Sequence, residues 1–397
     1  MRLLFAHDHR LFRGSSGELY TTGAFPASVW DRFLDHFDHV DVFMRDGGEV
    51  PDGQDLARAD RDRISFHFLP SLASPRQLAF RSPDVEKQMS SAMMSADAVV
   101  ARLPSEIGLL AVKHARRLGK PYAVEVVGCA WDSYRSGGAN WSRLYAPLAY
   151  LRMRGAIRKS PLALYVTSSW LQGRYPTTGY AGIASNVALE SMDKAAQNRR
   201  GERLAALAAG RSPVLGTIGT LRTRYKGIQT VLEALRKLRS SGLDLSYRIL
   251  GPGSPEPWQR LADHLGVLDL VAFDGTRSAG KQVCEWLDGI DLYLQPSFTE
   301  GLPRGMIEAM SRGVACVGST CGGIPELLPN DRLHEPGNVA ALTAIIRRLA
   351  GDPAAVAAAS AADLQTARQF DAARLKEQRR AFYARLRKDA ESQSSPG

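Results

Sequence analysis

Two glutamates, Glu300 and Glu308, stand eight positions apart around a Gly301-Leu302-Pro303 turn in the stretch SFTEGLPRGMIEAM. Pro303 suits the first turn of a helix, where its fixed dihedral fits and its missing N–H would have no partner in any case. A helix that starts within 301–303 leaves Glu300 in the loop ahead of it and carries Glu308 inside it. Eight helical residues rise ~12 Å, whereas two carboxylates that cleave a glycosidic bond with retention stand ~5 to 5.5 Å apart. The spacing therefore predicts two separate jobs rather than one acid–base pair. The exposed N–H groups of Gly301, Leu302 and their neighbours suit phosphate or sugar oxygens. A carboxylate in turn suits the vicinal hydroxyls of a ribose or a sugar. Met306, Ile307, Ala309 and Met310 surround Glu308 with apolar neighbours, which argues against a merely solvated face.

A second constellation is VLGTIGTLRTRYKG, where a strand runs into Gly216 and Gly219 and then into Lys226-Gly227 at a helix entry. Lys226, with Arg222 or Arg224 and the N–H groups of the helix start, forms an anion site fit for a diphosphate. The Gly-Lys-Ser/Thr spacing of a P-loop is absent, and the bland alternative is a basic surface turn. YRILGPG ends a strand in Gly251-Pro252-Gly253, either a close backbone approach to a ligand or a simple turn. GSTCGGIPELL adds Gly322-Gly323, a further ligand-facing loop or a tight corner. Near the start, His7-Asp8-His9 suggests a metal, but adjacent residues of an extended chain point to opposite faces and no third ligand is evident, so no metal is expected. Gly23, at the following helix entry, is the better candidate for a loop facing phosphate or sugar.

The elements that must position these residues alternate along the whole chain. Short apolar runs at 2–6, 40–44, 64–69, 98–102, 122–127 and 162–167 read as strands, with helices such as 27–37 and 106–118 between them. The polar stretch 185–203 breaks the rhythm. It resumes with strands at 214–218, 245–250, 270–273, 292–294 and 314–317 and helices at 228–239, 258–265 and 303–312. The expected organisation is two Rossmann-like, doubly wound α/β domains facing across a cleft, over 1–190 and 213–372, with a linker at 191–212. A terminal helix at 373–390 and a disordered tail at 391–397 complete it. Ligands of such sheets lie beyond the carboxyl ends of the strands.

A length of 397 residues fits two cores, and 44% hydrophobic with 23% charged residues is ordinary for a folded protein. The apolar start is too short for a signal peptide, and no window approaches the length of a membrane span, so a cytoplasmic location is expected. The four cysteines are scattered and are read as reduced thiols. The net charge of +10 is uneven, because residues 133–189 contain no Asp or Glu. Within them NWSRLYAPLAYLRMRGAIRK interleaves aromatic and aliphatic residues with arginines. This is either a basic amphipathic surface for anionic lipid or acceptor, or a half-buried helix with its arginines in water. Nucleic acid is not expected, since no recognised binding module accompanies the charge.

Together, GTLRTRYKG, ILGPG, VAFDG and DLYLQPSFTEGLPRGMIEAMSRGVACVGSTCGGIPELL resemble the C-terminal half of glycosyltransferase family 4, retaining enzymes of the GT-B fold. The resemblance implies a nucleotide-sugar donor, UDP- or GDP-linked, and a glycan or lipid-linked acceptor bound by the first domain. It implies no cofactor and no metal. By this likeness Glu308 holds the ribose, Glu300 lies by the donor sugar and Lys226 neutralises the diphosphate. Gly301, Leu302, Pro303, Arg222, Gly251 and Gly23 line the donor, and the terminal helix crosses back to the first domain. Two positions depart from the family pattern. Thr220 stands where many members have arginine, leaving Arg222 or Arg224 as substitutes. Val127 stands where many have histidine, leaving Glu125, Asp132 or a backbone carbonyl. The implied setting is bacterial lipopolysaccharide or exopolysaccharide assembly at the cytoplasmic face of the inner membrane. A nucleotide-sugar epimerase of the same fold and a catalytically weak nucleotide-sugar binder are the competing readings.

Overall fold

The computed structural model describes residues 1–22, 25–51, 56–70, 83–135, 140–189 and 192–394. The chain divides into two compact units, Met1–Ala184 with Leu375–Gly397, and Ser185–Arg374.

Among the described residues the first unit holds a nine-stranded sheet. Its parallel core runs through β5 (Ile64–Leu69), β3 (His39–Glu49), β1 (Arg2–Arg13), β6 (Ala98–Leu103), β7 (Tyr122–Val126), β8 (Leu162–Tyr165) and β9 (Tyr180–Ile183). The short strands β2 (Leu19–Thr21) and β4 (Ala57–Arg58) join antiparallel beyond the far end of β1. Strands such as AVVARL and YAVEV are buried nearly throughout, as a parallel sheet covered on both faces requires.

The helix expected at 27–37 is instead a 3₁₀ turn, Ala27–Trp30, followed by a single α turn, Asp31–Leu34. Trp30 and Phe33 pack there against Phe5 and Phe25. That aromatic cluster, rather than helix propensity, decides the local conformation. The His7-Asp8-His9 triplet lies inside β1, not at its end. His7 Nδ1 is 3.1 Å from the Arg102 carbonyl, and His9 Nε2 is 2.7 Å from Thr21 Oγ1. Burial drives the two imidazoles down to pKa values of about 3 and about 4. Asp8 accepts the Glu106 and Ile107 N–H groups at the start of the helix Glu106–Arg117, which Ser105 also caps. The triplet thus serves the packing of the sheet.

The second unit holds a six-stranded parallel sheet in the order β12 (Val271–Phe273), β11 (Tyr247–Leu250), β10 (Leu215–Ile218), β13 (Leu292–Gln295), β14 (Ala315–Ser319) and β15 (Leu333–His334). The chain builds outward from β10 through β11 to β12, then returns to add β13 on the other side. The strand order therefore reverses between β10 and β13, while all strands stay parallel.

The stretch 191–212, expected as a linker, contains the helix Lys194–Ala208 and belongs to the second unit. Asp193 caps it through the Ala196 N–H at 2.7 Å. Buried Arg200 donates to the carbonyls of Leu287, Ile290 and Arg312, and Arg203 and Arg211 grip Asp291. The polar composition that suggests a linker is consumed by these bonds. The terminal helix spans Ala372–Ser394, so residues 391–394, expected as disordered tail, continue it. Phe382, Tyr383 and Leu386 bury against the first unit, and Arg387 donates to the His36 carbonyl.

Candidate active site

The point of reversal between β10 and β13 places the loops that follow these two strands side by side, which is where an open α/β sheet admits a ligand. Two glycines bring the loops together. Gly227 begins the helix Ile228–Arg239 at φ +76°, and a Cβ there would lie 1.9 Å from the Pro296 carbonyl oxygen. Gly251 lies so close to the Gly219 carbonyl that a Cβ would meet its oxygen at 2.0 Å. Its lack of a side chain is thus required by loop–loop packing within the protein. The Gly323 N–H donates to the Gly301 carbonyl at 2.7 Å, adding the loop after β14 to the cluster.

Lys226 and Glu300 meet in this cluster, 74 residues apart in sequence, with Lys226 Nζ 2.6 Å from Glu300 Oε1. Gln295 Nε2 and Ser297 Oγ donate to the same oxygen, each at 2.8 Å. Behind them Tyr293 accepts the Ile218 N–H at 3.3 Å and donates to Gln295 Oε1 at 2.8 Å. Tyr293, Gln295 and Ser297 are a fixed polar relay beneath Glu300, all three buried. No donor among the described residues reaches Glu300 Oε2, so one face of the carboxylate remains available to accept hydrogen bonds.

The helix starts at Arg304, and Pro303 is its cap residue rather than its first turn, one position later than expected. No side chain caps this end. Its first-turn N–H groups add positive potential beside Glu300. Glu308 lies in the helix Arg304–Ser311, mostly buried, paired with Arg304 at 3.0 Å. Burial raises its carboxyl above the ordinary range, and the Arg304 charge offsets that only in part. The two glutamates therefore have separate partners.

Arg222 is exposed and makes no ion pair among the described residues, while Arg224 lies 6.0 Å from the Trp258 ring. Leu302 is half-buried. Gly23 lies outside the described residues. Glu125, an expected stand-in for the missing histidine, is unsuited to that role. It is sealed in the first unit by Arg102 at 2.7 Å on Oε2 and by the Tyr383 hydroxyl on Oε1.

Sequence reasoning missed Tyr293, Gln295 and Ser297. The signal was present: in DLYLQPS every second residue is polar, on one face of a strand central enough to be wholly apolar.

Parallel α/β sheets in two Rossmann-like domains define the GT-B glycosyltransferase fold. Residues 212–352, which contain this whole cluster, match the family described as glycosyl transferases group 1. The chain is 29% identical over 351 residues to Protein CapJ of Staphylococcus aureus, covering 88% of this chain and 86% of that protein. It is 35% identical over 137 residues to the amylovoran biosynthesis glycosyltransferase AmsK of Erwinia amylovora, covering 32% of this chain and 33% of that one. The crystal structure of HepE from Anabaena in complex with UDP-glucose superposes with a TM-score of 0.64 at 17% identity, over 97% of this chain and all of that one.

Proposed function

We propose that this protein is a retaining glycosyltransferase that moves a sugar from a UDP- or GDP-linked donor to a glycan or lipid-linked acceptor in bacterial cell-surface polysaccharide assembly. The observation that carries this reading is the Lys226–Glu300 pair at the point where the strand order reverses, beside an uncapped helix start. The likeness to a glycosyltransferase of amylovoran biosynthesis favours a polysaccharide product, and the likeness to a protein solved with UDP-glucose favours a nucleotide-sugar donor.

In this reading Lys226 and the N–H groups of Gly301, Leu302 and the following helix turn stabilise the leaving diphosphate, where negative charge develops. Arg222, exposed and without an ion pair among the described residues, is in reach of solvent to add charge there. Glu300, held at one oxygen by three donors, turns its other oxygen to the donor sugar and braces the oxocarbenium-like carbon. Glu308 holds the ribose. Lysine and backbone donors supply the positive charge, so the transfer proceeds without a metal. The reaction is cytoplasmic, where nucleotide sugars are supplied. Incubation with UDP- and GDP-sugars, a chelator and an extract of lipid-linked glycans tests the reading. Glycan growth with the donor's anomeric configuration kept is expected; release of an epimerised nucleotide sugar with no glycan growth would overturn it.

A further inference from the structure

The helix Asn140–Arg158 of the first unit is built on two faces of opposite character. Ala146, Ala149, Met153 and Ile157 are buried and fix it to the sheet. On the other side Leu144, Leu148 and Leu151 are 83%, 52% and 61% exposed. At about 100° per residue these leucines fall in one stripe with the exposed Pro147 and Gly155. Arg143, Arg154 and Arg158 border the stripe, and Lys159 follows the helix end, all exposed. The leucines contribute nothing to the core, and a row of them in water is the mark of a surface that is covered in use.

The surroundings say what covers it. Arg135 lies 5.4 Å from the Trp131 ring, Arg174 lies 5.4 Å from the Trp170 ring and Arg154 lies 6.0 Å from the Tyr150 ring. Trp131 in turn packs on Tyr150 of the helix at 6.4 Å. Such half-buried aromatic and arginine pairs suit the boundary between headgroups and acyl chains. Among the described residues the acidic groups nearby are few. Glu106 is buried against Arg152, and Asp132 sits on the neighbouring helix Ala130–Arg135. A second copy of the chain meeting this face about a two-fold axis would set arginine against arginine. An anionic bilayer meets both the charge and the leucines. Among the described residues no helix is long and apolar enough to cross a membrane, so the helix would lie in the interface plane.

We infer that the helix Asn140–Arg158 docks the protein on an anionic lipid surface, its leucines among the upper acyl chains and its arginines at the headgroup phosphates. Binding needs no donor, so the inference stands or falls apart from the catalytic reading. The test is flotation of the full chain with phosphatidylcholine vesicles that contain or lack phosphatidylglycerol. Wild type floats with the anionic vesicles, and salt weakens it. The variant L144S/L148S/L151S, with an unchanged melting curve because these side chains lie outside the core, binds at least about tenfold more weakly. R143E/R154E/R158E loses the preference for phosphatidylglycerol. A tryptophan placed by Leu148→Trp is quenched by brominated acyl chains. Absence of flotation by wild type, or equal flotation by the serine variant, would overturn the inference. So would a wild-type dimer that the serine variant splits into monomers without change in flotation.

Discussion

Two glutamates, one in each unit, sit at the carboxyl ends of buried parallel strands beside a cation, yet their hydrogen-bond donors are arranged in opposite ways. Glu125 at the end of β7 is 3% exposed, with Arg102 on one oxygen, Tyr383 on the other and Arg32 at 3.9 Å. Glu300 after β13 is also largely enclosed, but Lys226, Gln295 and Ser297 all converge on a single oxygen. Saturation on both oxygens makes Glu125 a clamp that ties the terminal helix to the first sheet. Donors on one side only, among the described residues, leave the other oxygen of Glu300 able to accept from a ligand, as its proposed place by the donor sugar requires. How the donors are distributed, more than burial or charge, separates this structural acid from the one proposed to meet a ligand.

The largest effect that tests this contrast is Glu125→Ala. It leaves two arginines buried without their anion, and loss of one partner of a buried pair costs about 3–5 kcal/mol. Denaturant unfolding should register that loss, and the folded fraction should keep its affinity for a nucleotide sugar. A stable variant would show that Glu125 is no clamp. Lys226→Ala should invert the pattern: turnover falls ~10²–10³-fold, the cost of removing one preorganised charge from a transition state. Its unfolding free energy should shift by about 1 kcal/mol or less, because Gln295 and Ser297 still hold Glu300.

The same contrast should appear in acid. Burial alone would raise the Glu125 carboxyl, but the Arg32 and Arg102 charges and the Tyr383 hydrogen bond outweigh it and hold the group at about 2. A depressed carboxyl contributes its stability above its ordinary value and loses it as pH falls through the folded one. Glu125 should therefore contribute about 3 kcal/mol at neutral pH and surrender it between pH ~4.5 and ~2. Glu125→Gln should be less stable at neutral pH and show a flatter acid limb. An acid limb as steep as that of wild type would remove Glu125 from the account.

Much of this was legible in sequence where the determinants are local. Apolar runs marked the strands, because a parallel sheet covered on both faces is built mostly from apolar side chains. The Gly-Leu-Pro turn placed Glu300 and Glu308 on either side of a helix start, because proline acts within one turn. What stayed hidden depended on partners far along the chain. Arg200 looked like linker polarity until Leu287, Ile290 and Arg312 supplied its carbonyls. Asp8 had no evident partner in sequence until the helix at Glu106 supplied its N–H groups. Gly251 looked like a ligand contact, and its tight fit is to Gly219. The alternation of leucine and arginine in 140–158 admitted both a buried and a lipid-facing helix, and only the exposure of Leu144, Leu148 and Leu151 shows which side carries which.

The smallest predicted effect concerns Glu308, which shares features of both acids. Like Glu125 it is mostly buried, and like Glu300 it has, among the described residues, a partner on one oxygen only, the i, i+4 pair with Arg304. Its carboxyl is raised because burial outweighs that single exposed arginine. In its proposed role as ribose acceptor it acts in its ionised form, so Glu308→Gln should weaken donor binding about tenfold, roughly one charge-assisted hydrogen bond, and leave turnover at saturating donor nearly unchanged. Because the raised carboxyl ionises later than an ordinary glutamate, wild-type affinity should still be rising with pH above the usual carboxylate range. The gap to the glutamine variant should widen over the same interval. Calorimetric titration of the donor against both proteins across mildly acidic to neutral pH measures that gap. A gap independent of pH would mean that Glu308 holds its ligand without its charge, and a fall in turnover instead of affinity would move it to the side of Glu300.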